Sequence, residues 1–131
     1  MKGSCLCGEI VYEAEKLASD IVHCACTTCR KSHSAAFNTA AAVDSHKFKW
    51  ISGEHLLKFY KSSPGKYRYF CGNCGTQLIK KVDGRDQIVL RVATLDEDPG
   101  KIPKAIIWTT DSVPWLSYEQ QIPKFEEWEI K

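Results

Sequence analysis

The sequence predicts a mostly β domain, and three observations support this prediction. No segment sustains the i, i+3, i+4, i+7 apolar pattern of an amphipathic helix over ten or more residues. Short alternating or β-branched runs recur between turn signals along the chain. The length of 131 residues suits one hydrophobic core, because two cores would each be near the lower size limit of a stable domain. We therefore expect a single domain over residues 1–131.

The strands are expected where these runs fall between turns. In chain order they are residues 9–14, 21–23, 37–43, 47–51, 57–61, 67–70, 77–82, 87–94 and 105–108. Asp83-Gly84 predicts a tight hairpin between two of them, because this pair favours the positive φ angles of such turns. Short helical turns are expected at residues 26–33 and 124–129. In the second, Phe125 and Trp128 are expected to cover a sheet edge or the rim of the core.

Charge and hydropathy exclude two classes of partner. The 18 basic and 16 acidic residues give a formal charge of +2, too small an excess for a protein that binds nucleic acid through its phosphates. No apolar stretch approaches the roughly 18 residues of a membrane-spanning helix. The first residues also lack the apolar segment of a signal peptide, so a cytoplasmic location is expected. In that reducing compartment, clustered cysteines indicate metal binding more than disulfides.

Two pairs of cysteines have the spacing of a closed zinc site. They are Cys5-x-Cys7, followed by Gly8, and Cys71-x-x-Cys74, followed by Gly75. A tetrahedral zinc with Zn–S bonds of about 2.3 Å needs sulfur atoms only about 3.8 Å apart. Glycines at these turns, including Gly72, permit the backbone angles that direct amides at thiolates. The two pairs together supply the four ligands of a structural zinc.

The other three cysteines, Cys24, Cys26 and Cys29, form one contiguous group. Three protein ligands and an open position are typical of a catalytic zinc, so the sequence predicts one closed and one open site. A zinc ion with three thiolates activates water poorly, but it can accept an incoming thiol and keep it deprotonated. Two alternatives stay open. A histidine, for which His33 is the better candidate, could close the site, or the three thiols could be inert or redox-active.

Arg30 and Lys31 directly follow this group. They could offset thiolate charge or hold a substrate carboxylate, and simple exposure to solvent is the alternative. Aromatic residues such as Trp50, Tyr60 and Trp108 are expected mainly in the core, with one or two lining a pocket.

The chain resembles the glutathione-dependent formaldehyde-activating enzymes over nearly its whole length. The resemblance is carried mainly by three segments, Gly3-Ser4-Cys5-Leu6-Cys7-Gly8, Cys24-Ala25-Cys26-Thr27-Thr28-Cys29-Arg30-Lys31 and Phe70-Cys71-Gly72-Asn73-Cys74-Gly75. It implies small antiparallel sheets around two zinc sites, similar to the β-tent of Mss4-like proteins. It also implies that Cys5, Cys7, Cys71 and Cys74 hold a structural zinc and that Cys24, Cys26 and Cys29 hold a catalytic one.

The resemblance further implies a carbon–sulfur lyase in which glutathione and formaldehyde combine to S-(hydroxymethyl)glutathione. Glutathione is then the co-substrate, and Arg30 and Lys31 are candidate contacts for it. A different small thiol or aldehyde is a second expectation, because the chain is shorter than the enzyme that named the family. A noncatalytic zinc-stabilised scaffold that binds a protein is the alternative from another functional class.

Overall fold

The computed structural model describes residues 1–129 and confirms the mostly β prediction. Within these residues the chain forms ten strands and one α-helix. In chain order they are β1 (Lys2–Ser4), β2 (Val11–Ala14), β3 (Ile21–Cys24), α1 (Thr27–His33), β4 (Asn38–Asp44), β5 (Phe48–Ser52), β6 (Leu57–Ser63), β7 (Lys66–Cys71), β8 (Gln77–Val82), β9 (Gln87–Arg91) and β10 (Pro103–Ile107). No helix in this part of the chain is long and apolar enough to cross a membrane.

The strands form two sheets of different size. The smaller is antiparallel with the order β1-β2-β5, as expected. The larger has seven strands in the order β10-β3-β4-β9-β8-β7-β6 and is mixed, because β10 runs parallel to β3. This parallel pair departs from the antiparallel expectation. Parallel neighbours need a long connection, and here six strands intervene between β3 and β10 along the chain.

The hairpin predicted at Asp83-Gly84 is confirmed. It joins the antiparallel strands β8 and β9, and Gly84 adopts a φ of 76°. Strand β9 is shorter than predicted, because a 3₁₀ turn over Val92–Thr94 ends it at Arg91. Strand β1 was not predicted, since three residues that include a glycine carry no alternation signal.

The helical turn predicted at residues 26–33 is confirmed as α1, whereas the one at residues 124–129 is wrong. The latter segment is irregular, and Trp128 is 89% exposed instead of covering the sheet. A helix this short forms only when tertiary packing stabilises it.

The core lies where the two sheets meet. Tyr12 of the small sheet is fully buried with Leu78 and Leu90 of the large one, and its hydroxyl is 2.7 Å from that of Thr94. Cys5 and Cys71 belong to the same buried cluster. Trp50 is half-buried against this core, but Tyr60 and Trp108 are exposed, so the expectation of a core position is wrong for those two.

Candidate functional site

The structure brings Cys5, Cys7, Cys71 and Cys74 together. Their four Sγ atoms all lie within 4.8 Å of one another. The Sγ of Cys7 is 3.5 Å from that of Cys5 and 3.9 Å from that of Cys71. These separations bracket the roughly 3.8 Å that a tetrahedral zinc requires. The donor set therefore fits a closed four-thiolate metal site.

Backbone turns position these four thiols. Gly8 and Gly75 follow the two cysteine pairs and have φ angles of 79° and 81°, in the left-handed region that glycine favours. Gly72 serves a different purpose from the one predicted. Its φ is ordinary, but a Cβ there would lie 2.7 Å from the backbone oxygen of Leu56. Glycine is thus required at position 72 by close approach rather than by backbone angle.

Amides and hydroxyls surround the sulfurs of this first cluster. The amide of Ile10 donates to the Cys5 Sγ at 3.3 Å, and the amide of Cys74 donates to the Cys71 Sγ at 3.4 Å. Burial raises the pKa of Cys5 to about 11, whereas the hydrogen bond with the Thr76 side chain lowers the pKa of Cys74 to about 5. The thiolate of Cys74 is therefore stabilised by neutral dipoles of its turn, whereas burial disfavours that of Cys5.

The second group of cysteines is held by the start of α1. Cys24 ends β3, Cys26 is the N-cap of α1, and Cys29 lies in its first turn. Their three Sγ atoms also lie within 4.8 Å of one another, and the Cys29 amide donates to the Cys26 Sγ at 3.3 Å. We call these three residues the cysteine trio.

Within residues 1–129, the trio has no fourth histidine, cysteine or carboxylate ligand. His33, the candidate that would close the site, does not join the metal-ligand group and lies at the far end of α1. Burial and the charges of Arg91 and Arg68 lower the pKa of His33 to about 4. The structure therefore favours an open site over one closed by His33.

A cavity of about 440 Å³ adjoins the trio. All three cysteines line it, whereas none of the four residues of the first cluster does. Trp108 lines the cavity as well, as expected for one or two of the aromatic residues. Four basic residues also line the cavity and form what we call its basic wall, Lys66, Arg68, Lys80 and Arg91.

Arg68 is the basic residue nearest to the trio. Its side chain is buried, and both Nη1 and Nη2 lie 4.0 Å from the Cys29 Sγ. Its Nε donates to the Ser62 hydroxyl at 3.0 Å, which fixes the guanidinium plane. Asn38, also buried, donates from Nδ2 to the same sulfur at 3.9 Å.

These contacts make the thiols of the trio unequal. Burial, reinforced by side-chain hydrogen bonds with Cys29 and Cys26 and by the charge of Cys29, raises the pKa of Cys24 to about 12. Burial also acts to raise the pKa of Cys29, but hydrogen bonds with Cys26 and Cys24 and the charges of Arg68 and Arg91 bring it below its ordinary value. Cys29 is therefore better stabilised as a thiolate than Cys24.

Arg30 and Lys31 do not line this cavity. The Arg30 Nη2 lies 3.4 Å from the Thr27 hydroxyl, along the helix, and Lys31 is exposed. A contact of either residue with glutathione stays a prediction. The positive charge beside the trio instead comes from strands β7, β8 and β9.

The basic wall was missed by sequence reasoning, although the sequence holds a signal for it. Arg91 lies beside the buried Leu90 and Val92, and Arg68 lies between two tyrosines within a strand. Charged residues inside short apolar strands are unusual unless a partner or ligand satisfies them.

The comparisons with known proteins agree with this geometry. The family model described as "Glutathione-dependent formaldehyde-activating enzyme" matches residues 1–111. The chain belongs to this family. The match includes both cysteine clusters and the basic wall, and membership indicates a function in formaldehyde activation or related thiol chemistry.

One solved structure supports the fold. The chain is similar to a crystal structure of a Rhodobacter sphaeroides protein, with 26% identity and a TM-score of 0.65. The similarity covers 79% of this chain and 98% of the other. No curated protein matches the chain. The solved structure does not identify an Mss4-like fold, so the β-tent stays a prediction.

Proposed function

We propose that the protein is a zinc-dependent carbon–sulfur lyase of the S-(hydroxymethyl)glutathione synthase type, acting in the cytoplasm on an adduct between a small thiol and an aldehyde. Glutathione and formaldehyde are the first candidates, since family membership points to them. The observation that carries the proposal is the position of the trio, which exposes three converging thiols to a cavity of about 440 Å³.

We assign one zinc ion to each cysteine cluster. The four thiols of Cys5, Cys7, Cys71 and Cys74 are those of a closed structural site, and the trio leaves one position for a ligand. When bound at the trio, zinc would supply the positive charge that keeps an incoming thiol deprotonated and nucleophilic.

The residues of the chain then orient and neutralise the reacting groups. Arg68 and Asn38, which both line the cavity, contact the Cys29 sulfur, and the Arg68 guanidinium offsets its negative charge. In the synthetic direction the thiol S–H adds across the aldehyde C=O, so one C–S bond and one O–H bond form. The aldehyde oxygen accepts the proton, and no oxidant or reductant is consumed.

Arg30 and Lys31 have a peripheral role in this proposal. They lie on α1 outside the cavity lining, so a contact with glutathione would involve the part of that peptide that extends beyond the cavity.

The proposal is tested by the rate at which the protein accelerates exchange between glutathione plus formaldehyde and their adduct. Exchange NMR measures this rate above the uncatalysed background. We expect the Cys26→Ala variant to remain folded and to lose the acceleration, while Lys49→Ala, an exposed change on β5, keeps it. A folded Cys26→Ala variant with full acceleration would show that the trio does not carry the reaction.

A noncatalytic scaffold that binds a protein is the second candidate, and one observation favours it. Residues 112–129 expose several aromatic side chains, among them Trp115 at 72% and Trp128 at 89%. Native mass spectrometry with glutathione separates the two functions. Retention of glutathione in wild type but not in Cys26→Ala supports the lyase, whereas no retention in either favours the scaffold.

A further inference from the structure

We propose that Arg91, together with Arg68 and Lys80, forms a carboxylate-binding subsite in this cavity, so that one of the two reactants carries a carboxylate a few bonds from the reacting sulfur. This inference deepens the proposed function and rests on it only for the location of that sulfur at the trio. It concerns the basic wall of the cavity, to which no ligand has been assigned above.

Arg91 is the strongest indication of a missing anion. Its side chain is only 4% exposed, and it lines the cavity. Its Nε and Nη2 atoms are buried without a hydrogen-bond partner among the described residues. Buried donors on a charged group are costly to leave unsatisfied. The planar guanidinium fork matches the two oxygens of a carboxylate.

Arg68 cannot satisfy this demand, because a guanidinium carries only hydrogen-bond donors and no acceptor. Its own donors are engaged as well, so it contributes positive charge to the subsite. Its Nη atoms face the Cys29 sulfur, its Nε donates to Ser62, and its Nη1 is 3.4 Å from the Ser32 hydroxyl. It also repels Arg91, since its charge, after burial, is the largest influence that lowers the pKa of Arg91 to about 10. The two arginines therefore present like charges on one side of the cavity.

The charge of the cavity points in the same direction. Three thiolates around one divalent metal ion leave a single net negative charge. The cavity is also lined by four positively charged residues, Lys66, Arg68, Lys80 and Arg91. Asp111 is the only acidic residue among the described residues that line it. The net charge is positive, so an anionic ligand is favoured over a neutral one.

The sheet register places these groups side by side. Arg68 pairs with Lys80 across β7 and β8, and Lys80 pairs with Val89 across β8 and β9. Val89 and Arg91 are two residues apart on β9 and therefore share a face, and both line the cavity. Neighbouring strands lie about 4.8 Å apart. Because Arg68 also contacts Cys29, a short molecule can reach the trio and Arg91 at once.

The carboxylate could belong to the thiol or to the aldehyde, and two binding measurements separate these sources. The first uses isothermal titration of the zinc-loaded protein with 3-mercaptopropionate and with its neutral isostere 3-mercaptopropionamide. A carboxylate on the thiol predicts about tenfold to a hundredfold tighter binding of the acid. The second titrates glyoxylate and then formaldehyde in the presence of saturating 3-mercaptopropionamide. If the carboxylate belongs to the aldehyde, glyoxylate should bind about tenfold to a hundredfold more tightly than formaldehyde.

Variants connect either preference to Arg91. In Arg91→Gln we expect the affinity for the acid to fall to about the affinity for its neutral analogue. Arg91→Lys should have an intermediate affinity for the acid, because a lysine keeps the positive charge but lacks the planar guanidinium fork. Arg85→Gln is the matched control, since Arg85 is exposed in the β8–β9 turn and does not line this cavity. If Arg91→Gln does not fold, Lys80→Gln is measured in its place and is expected to weaken the preference.

Two outcomes would overturn the subsite. One is a wild-type protein that shows no preference for either acid, and the other is a preference that survives in both Arg91→Gln and Lys80→Gln. Failure of the proposed function looks different, because a protein with no exchange activity can still bind the acid through Arg91. Thermal unfolding with propionate checks the subsite without any thiol, since a ligand of the folded state raises the melting temperature in wild type and less in Arg91→Gln.

Discussion

The two cysteine clusters are built from the same donor atom but are neutralised in different ways. In the first cluster the sulfurs accept hydrogen bonds from backbone amides, such as those of Ile10 and Cys74, in glycine-containing turns. In the trio, Cys29 is approached by the side chains of Arg68 and Asn38. The first cluster joins segments far apart in sequence, whereas the trio is local to one strand–helix junction.

Under the proposed function, this difference separates a site that holds the fold together from one that serves a ligand. Cys5 and Cys71 of the first cluster share the core with Tyr12 and Leu78, and none of its four residues lines the cavity. Side-chain donors on a basic wall leave a cavity and surplus positive charge beside the trio.

Loss of a first-cluster ligand is expected to unfold the domain. Structural zinc contributes on the order of 10 kcal/mol of folding free energy in small metal domains, comparable to the total stability of a small protein of about 5–15 kcal/mol. We expect Cys71→Ser to lose its cooperative thermal transition by circular dichroism, while Cys26→Ser keeps one and binds one metal ion fewer. Equal loss of stability in the two variants would remove the distinction between the clusters.

Arg68→Gln is expected to have the next largest effect, and to act on the trio alone. The buried guanidinium contacts Cys29, Ser62 and Ser32, and hydrogen bonds to charged groups contribute about 2 kcal/mol. We expect a loss of this size in chemical denaturation. Residues that hydrogen-bond metal ligands also affect metal affinity by about tenfold to a hundredfold. Chelator competition should therefore show that one metal ion is bound more weakly and that the affinity for the other is unchanged. Weaker binding of both metal ions would contradict the separation between the two clusters.

Gly75→Ala is expected to cost about 1 kcal/mol, because an alanine is strained at a φ of 81°. Gly100→Ala is the matched control, since Gly100 has a φ of 72° with equally open space around it and lies outside both clusters. The two variants should lose similar stability in urea denaturation. Only Gly75→Ala should weaken the first-cluster metal, and the same weakening in Gly100→Ala would show that the turn has no specific role.

The members of both clusters could be predicted from the sequence, because the spacing within each pair and within the trio is local and the two glycine-flanked pairs together supply the four ligands of one zinc. Cys71-x-x-Cys74 and the group from Cys24 to Cys29 carry their geometry in a few residues and the intervening turns. The mostly β class and the hairpin at Asp83-Gly84 were predictable for the same reason. The helix expected at residues 124–129 failed because a local pattern so short needs tertiary contacts that this segment does not make.

The basic wall was not predicted, because its assembly beside the trio depends on long-range register. Arg68 and Arg91 approach the trio only because β9, β8 and β7 are neighbours in the large sheet. Strand β10 ends directly before Trp108, and its parallel pairing with β3 is equally non-local. Arg30 and Lys31, by contrast, are near the trio in sequence but do not line the cavity.

The smallest expected effect on stability concerns Trp108, which tests whether the cavity edge is built for a ligand. Trp108 is 61% exposed, lines the cavity, and has a φ of 59°, which is unusual for a residue other than glycine. Exposed side chains contribute little, so Trp108→Ala should change the free energy of unfolding by less than about 0.5 kcal/mol. Trp108→Gly should be about 1 kcal/mol more stable than Trp108→Ala, because glycine relieves the left-handed strain.

If the ring serves ligand binding, both variants should bind 3-mercaptopropionate more weakly than the wild type, and to the same extent. Unchanged binding in both would leave the strain at this edge without a role in the site.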